Sequence, residues 1–348
     1  MFLIKRIGQG ILVVWGIVTV LFLIFYTLGD PVQYLIDDKA GEEEVEAMRR
    51  KYKLDRPLIV QYASYLNGLS PLGTVDPQTA QSLPHIPLIK GDSLTFALKG
   101  PDLGNSYKYD LPVREMIGSR LEGTLILALT AISFAAFLGI FLGVIAALKR
   151  ETWIDRSILS FSVLGISAPS FFIGVLIAWL FAVKWRAFTG LNVSGYMFEE
   201  EIFSPGRRLV LKNLFLPALA LGIRPLAVFI QLTRSSMIEV MMSDYVRTAR
   251  AKGLAPLWVT LRHALRNALN PVLTSVTGWL ASLLAGAFFI EYIFNWQGIG
   301  KLLIDSLTNR DLPVVMGCVL LIGLVFVLVS ILTDWLYRVL DPRIKLSS

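Results

Sequence analysis

Gly300 and Lys301 are the nearest approach in this chain to a phosphate-binding loop. Such a loop needs an earlier glycine, so that backbone N–H groups can close on the phosphates, and a Ser or Thr after the lysine to hold magnesium. Asn295 stands in the glycine's place and Leu302 in the hydroxyl's, so neither ligand is supplied. No HExxH, no paired cysteines and no GxSxG nucleophile elbow occur. His85 and His263 are the only histidines, too few for a histidine-rich metal site. The single cysteine, Cys318, lies in an apolar run and gives no disulfide framework. The reading is a chain with no catalytic residue, no metal and no cofactor of its own.

Charge inside apolar sequence is the other chemistry on offer. Arg224 stands well inside such a run, at a cost of about 3 kcal/mol on the insertion scale. Pro225 follows it and leaves the Leu221 carbonyl without its helical donor. Arg224 either satisfies that carbonyl or meets an anionic group on whatever crosses the membrane. Glu291 and Asp334 stand at run ends, where water is near: weak as proton relays, ordinary as helix-end charges. These ionisable residues leave an ion- or proton-coupled carrier open as an alternative.

The elements that must carry these residues are membrane spans. Of 348 residues, 55% are hydrophobic and 17% charged, and the mean hydropathy is +0.62, the composition of an integral membrane protein. The net charge of +7 belongs to flanks of apolar runs, without any aromatic-basic motif for nucleic acid, so membrane topology accounts for it. Lys5 and Arg6 precede the run Ile11 to Leu28, and Tyr26 to Leu28 offer no small-residue cleavage site, which predicts an uncleaved first helix within residues 1–30. Further runs fall at Leu125 to Leu148, Ile158 to Val183, Leu214 to Ile230, Ala268 to Ile290 and Leu312 to Leu332. They predict helices over about 121–148, 157–183, 213–233, 267–290 and 312–333. The expected fold is an all-α polytopic membrane protein of six transmembrane helices, with a small extracytoplasmic domain over residues 31–116 between the first two. Lys149, Arg150, Arg156, Arg338, Arg343 and Lys345 mark the cytoplasmic side, and 341–348 is the cytoplasmic tail. Lys184, Arg186, Arg207, Arg208 and Lys212 run against this assignment.

Within the outer domain, Pro71, Pro77, Pro84 and Pro87 punctuate an insertion at about 70–101, which reads as an elaborated loop rather than strand or helix. It is either an extra contact to a partner or lineage-specific decoration. Pro169, in SAPSFF, should break the third span. Thr274, Gly278, Ser282 and Gly286 recur every four residues, and Gly139 and Gly143 make a shorter seam; such seams let a second helix approach closely. The longer one packs against a partner, lines the pathway, or packs within the chain.

Between two apolar runs lies DYVRTARAKGLAPLWVTLRHALRNALNP, from Asp244 to Pro271, with Arg247, Arg250, Lys252, Arg262 and Arg266 against Asp244 as its only acid. Tyr245, Val246 and Ala249 fall on one face of a short helix, which Gly253 can end by taking the left-handed conformation. Leu257, Leu261, Ala264, Leu265, Ala268 and Leu269 then recur at helical spacing. The expectation is a helix, turn, helix at a membrane surface, with a basic amphipathic loop on anionic lipid as the plainer reading.

This stretch resembles the cytoplasmic "EAA" loop of permease subunits of ATP-binding-cassette importers, in the form typical of dipeptide and oligopeptide permeases. Other segments share the likeness: KYKLDRPLIVQYASYLNGL from Lys51, DLGNSY from Asp102, PVREMI from Pro112, EYIFNWQGIG from Glu291, NRDLPVVMG from Asn309 and TDWLYRVLDPRIKL from Thr333. Gln297 stands where relatives usually have proline, and Ser330 where they often have asparagine. The resemblance implies a type I importer permease domain over 117–340, in a multi-pass protein of a bacterial inner membrane. It implies a second homologous permease, two ATPase subunits that hydrolyse ATP, and an extracytoplasmic substrate-binding protein as partners, besides membrane lipid. It makes 244–266 the coupling loop, with Asp244, Tyr245, Arg247, Ala249, Arg250, Lys252, Gly253 and Leu254 as the residues that meet the ATPase. Arg224, Gly278, Ser282 and Gly286 are the residues expected on the pathway or in helix packing.

Overall fold

The structure is a computed structural model that describes residues 2–27, 41–51, 54–75, 85–90, 95–196, 198–200 and 207–340. Helices α1 (Phe2–Thr27), α2 (Glu42–Lys51) and α3 (Leu58–Leu69) lead into a small sheet of β1 (Leu72–Val75), β2 (His85–Lys90) and β3 (Thr95–Lys99). Then come α4 (Val113–Leu148), α5 (Trp153–Ser167), α6 (Ser170–Ile177) with a π-helical continuation Ala178–Lys184, and a hairpin of β4 (Phe198–Glu200) and β5 (Arg207–Leu209). The rest is α7 (Lys212–Met241), α8 (Asp244–Ala251), a return segment over 256–268, α9 (Asn270–Gly286), α10 (Phe288–Ile293), α11 (Ile299–Thr308) and α12 (Leu312–Leu340). The tail expected at 341–348, part of the outer domain, Pro77 and Pro84 lie outside the described residues.

Two compact units divide the chain: one of Met1–Ile11, Leu121–Lys301 and Ile322–Ser348, the other of Leu12–Arg120 and Leu302–Leu321. In the first, α4 and α7 cross closely because small residues remove the side chains between them. A Cβ at Gly139 would stand 2.7 Å from Phe229 Cβ, and one at Gly143 would stand 2.8 Å from the Ile230 carbonyl oxygen. In lipid, apolar side chains gain little by leaving their surroundings, so such close backbone contact is what holds helices together. The shorter glycine seam is therefore an internal packing seam. Leu127, Leu216, Phe229, Phe294 and Trp296 fill the core beside it.

In the second unit, α3 rests on α1. Tyr62 hydroxyl lies 2.6 Å from Thr19 Oγ1, and Phe22 meets Tyr62 and Tyr65 ring to ring. The insertion is not the loop that its prolines predict. It folds as an antiparallel sheet of order β1-β3-β2, with Leu72 opposite Leu98 and Thr74 opposite Phe96. Alternation explains it: Gly73, Val75, Ala97 and Lys99 are buried while Leu72, Thr74, Phe96 and Leu98 face out. Pro87 is tolerated on β2 because it is an edge strand and the register shifts between Pro87 and Ile89, the two settings in which a sheet accepts proline.

Four described helices are long and apolar enough to cross a membrane: Arg6–Ile24 within α1, then α4, α7 and Leu312–Thr333 within α12. α5 and the segment Ser170–Lys184 make a fifth if the pair is one broken span, with a bend of 111° at Ala168 and Pro169. Pro169 supplies no N–H, as its place in the sequence predicts. The run expected as the fifth span folds as α9, 17 residues long, and then α10. That is the lower limit for one crossing.

Candidate functional site

α8 begins at Asp244, whose negative charge suits a helix N-terminus, and ends at Ala251. Gly253 has φ +78°, and its N–H donates to the Arg250 carbonyl at 2.9 Å. No atom lies within 4 Å of where a Cβ would stand, so the glycine is there for its backbone and not for space. The return segment opens with Pro256 at its first turn, passes through a π-helical stretch Val259–Ala264, and closes as Leu265–Ala268.

That π stretch changes which face is covered. Regular spacing would bury Leu257 and Leu261 with Ala264 and Ala268. Instead Val259, Ala264 and Ala268 are buried while Leu257 and Leu261 are 68% and 52% exposed. Widening the turn by a residue rotates the helix face between its two ends. Val246, Ala249 and Val259 form a small core with Val240 and Met241 at the end of α7. Ala249 thus points under the loop, and Tyr245 turns away from Val246 to meet Asn267 and His263.

What remains on the outside is an apolar patch with a basic rim. Tyr245, Leu254, Leu257, Trp258 and Leu261 are all exposed, and Asp244, Arg247, Arg250, Lys252 and Arg262 are exposed around them. Arg247 lies 3.8 Å from Asp244, both well solvated, a pair worth little by itself. Arg262 sits over the Trp258 ring at 5.3 Å. The loop's inner side is fixed and its outer side is unspent.

The other sequence-predicted residues lie apart from this loop. Gly278 and Ser282 are exposed on α9, and a Cβ at Gly278 would meet nothing within 4 Å. Gly286 closes the same helix. At Gly278 and Ser282 the longer small-residue seam is therefore not spent on packing among the described residues. Arg224 does not satisfy the Leu221 carbonyl: its side chain is exposed and makes no hydrogen bond or ion pair among the described residues. Leu221, Gly222 and Pro225 point inward instead, which turns Arg224 to the opposite face of α7.

Glu291 is not near water as its run-end position predicts. It is 0% exposed, accepting from Thr124 Oγ1 at 2.7 Å and from the Lys301 N–H at 3.1 Å. Thr124 Oγ1 in turn accepts the Ile299 N–H at 2.8 Å, and Trp296 Nε1 donates to the Gly123 carbonyl at 2.8 Å. Gly300 and Lys301, the pair nearest a phosphate loop in sequence, thus open a helix whose first donors serve a carboxylate. Sequence reasoning also missed Asp155 and Arg234, a half-buried fork joining α5 to α7 at 2.6 and 2.7 Å. Asp155 in a first helical turn and an arginine before the coupling stretch were the only signals. In the second unit, DLGNSY meets NRDLP: Ser106 Oγ donates to Asp311 Oδ2 at 2.5 Å and the Tyr107 N–H to Oδ1 at 3.0 Å. A cleft of about 470 Å³ opens beside them, with Glu115, Ser119, Arg120 and Asp305 on its walls.

The described chain is thus a set of membrane-length helices with a structured loop packed beneath the end of α7. The chain belongs to the family described as binding-protein-dependent transport system inner membrane components, which matches residues 139–346, and the family's N-terminal domain matches residues 1–128. It is thus a multi-pass inner-membrane protein. It is 36% identical over 346 residues to a protein of Brucella suis biovar 1 (strain 1330) designated a peptide permease, covering 98% of this chain and 97% of that one. It is 35% identical over 363 residues to the dipeptide transport system permease protein DppB of Escherichia coli (strain K12), covering 99% and 98%. An inward-facing structure of the MetNI methionine ABC transporter shares the fold, with a TM-score of 0.50 at 14% identity over 66% of this chain and 97% of that one.

Proposed function

We propose that this chain is one transmembrane subunit of an ATP-driven importer of short peptides, forming half of the translocation pathway with a second, homologous permease. Two ATPase subunits supply the energy and an extracytoplasmic binding protein delivers the cargo. Six crossings, with α9 and α10 completing the fifth, put both termini in the cytoplasm. The observation that carries the coupling role is the loop from Asp244 to Ala268: its inner side is packed and its outer side is apolar with a basic rim, as protein-binding patches are. Full-length similarity to proteins designated peptide and dipeptide permeases supports the cargo class. Alternating access follows if ATP-driven approach of the two loops swings the bundles between two packings. The unspent face at Gly278 and Ser282 is then available to the second permease, and the exposed Arg224 to the pathway, where a guanidinium suits a peptide carboxylate.

The test is reconstitution in vesicles with the ATPases and binding protein of the same transport system, measuring uptake of labelled dipeptides. Uptake that needs ATP and the binding protein is expected. Uptake driven by an ion gradient without ATP would return the chain to the carrier class.

A further inference from the structure

Asp155 is 2% exposed and stands in the first turn of α5. Both of its carboxylate oxygens are used: Oδ1 accepts from Arg234 Nε at 2.6 Å, and Oδ2 from Arg234 Nη2 at 2.7 Å. Oδ2 also accepts the Glu151 N–H at 2.9 Å, and Glu151 has φ +65°, a conformation that side chains with a Cβ rarely adopt. One carboxylate therefore fixes both the turn that opens α5 and the last turns of α7. A planar fork of this kind resists rotation as well as separation, which a single contact does not.

Stability alone does not call for it. Asp155 is buried and Arg234 half-buried, and a pair taken out of water is commonly matched or exceeded by an apolar pair of the same volume. Its position offers another use. Arg234 stands about 10 Å along the helix axis from Met241, and Val240 and Met241 carry the small core of Val246, Ala249 and Val259 under the exposed loop. On the other side of the fork, α5 runs along α7 with Gly165 against Ile223 and Ala227 and then reaches the 111° break at Ala168 and Pro169. Loop, end of α7, fork and broken span form one continuous path of contacts.

We propose that the Asp155–Arg234 pair is the joint through which movement of the exposed loop is delivered to the broken span, so that both are positioning residues for coupling. This rests on the coupling role of that loop given above. Deleting Arg234 leaves the buried Asp155 carboxylate without its cation, and deleting Asp155 leaves a half-buried guanidinium, so single deletions mix folding with coupling. The informative variant is Asp155→Leu with Arg234→Met, which removes the fork and leaves no orphaned charge, read beside Arg234→Lys, which keeps the charge and loses the fork.

The complex of both permeases and ATPases is reconstituted in lipid, and yield, hydrolysis without binding protein, and hydrolysis with it are measured. The expected result for the double variant is native yield and native unstimulated hydrolysis, with stimulation by the binding protein reduced about tenfold, the scale of coupling between distant sites. Arg234→Lys is expected to lose part of the same stimulation. Full stimulation in the assembled double variant overturns the proposal. If the double variant does not assemble, Arg234→Lys decides: reduced stimulation supports the joint, and full stimulation makes the pair a folding feature. Failure of the unmutated chain to retain the ATPases is a different outcome, and it removes the coupling-loop reading itself.

Discussion

Asn267 Nδ2 donates to the Tyr245 hydroxyl at 2.7 Å, joining the first turn of α8 to the far end of the return segment. The two arms of the loop are thus held to each other as well as to α7. A neutral hydrogen bond at an exposed site contributes about 1 kcal/mol. Tyr245→Phe should therefore leave membrane insertion and complex yield unchanged while loosening the loop, seen as faster amide exchange over 245–267. Exchange equal to the native rate would show that the small core beneath is sufficient.

Gly253→Val should act on the backbone alone, because nothing crowds the position. A β-branched residue at φ +78° costs about 1 kcal/mol or more and redirects the chain towards Leu257. The subunit is expected to insert and pair normally, but to co-purify with less ATPase and to lose stimulated hydrolysis. Gly253→Asn, which tolerates the left-handed region, should retain most of both. Equal behaviour of the two variants would remove the conformational explanation.

Arg224→Leu removes an exposed, unpartnered charge from the middle of α7 and with it an insertion cost of about 3 kcal/mol. Yield and melting temperature should hold or rise, while peptide uptake falls. A drop in melting temperature with uptake per complex unchanged would restore a packing role.

A Cβ at Gly298 would overlap the Glu291 carboxylate. Gly298→Ala is therefore expected to destabilise the first unit by about 1 to 3 kcal/mol, read as a lower melting temperature in detergent. Glu291→Gln keeps the shape and should cost less. The reverse order would mean that charge, not space, governs this site.

Cys318 is buried, so single cysteines can be read against a silent background. Tyr109→Cys should react with an impermeant thiol reagent in intact cells, and Ser243→Cys only after permeabilisation. The opposite pattern would invert the topology.

Much of this was legible in the sequence because local rules were sufficient. Four of the apolar runs mark helices long enough to span, Pro169 marks the break, and Gly253 the end of α8. The failures came where long-range contact decided. Glu291 stands at the end of an apolar run, and it is buried where Thr124, 167 residues away, meets the turn of Gly298 and Lys301 around its carboxylate. The insertion's prolines argue for a loop until β3 is seen to lie between two partners, which leaves Pro87 on an edge. Leu257 and Leu261 follow helical spacing, but one widened turn moves them to the outside. The Asp155–Arg234 fork has no sequence period at all, because it joins residues on separate helices.

β2 has a further consequence outside the single molecule. It is one of the two edge strands of a sheet whose outward face bears Leu72, Ile86, Ile89, Phe96 and Leu98, an edge on which a neighbouring chain could add a strand and begin aggregation. Pro87 presents no N–H there, and the shifted register beside it throws the remaining donors out of step. β2 is thereby a poor template for a strand added from a second copy. Replacing this proline would restore a backbone N–H to that strand.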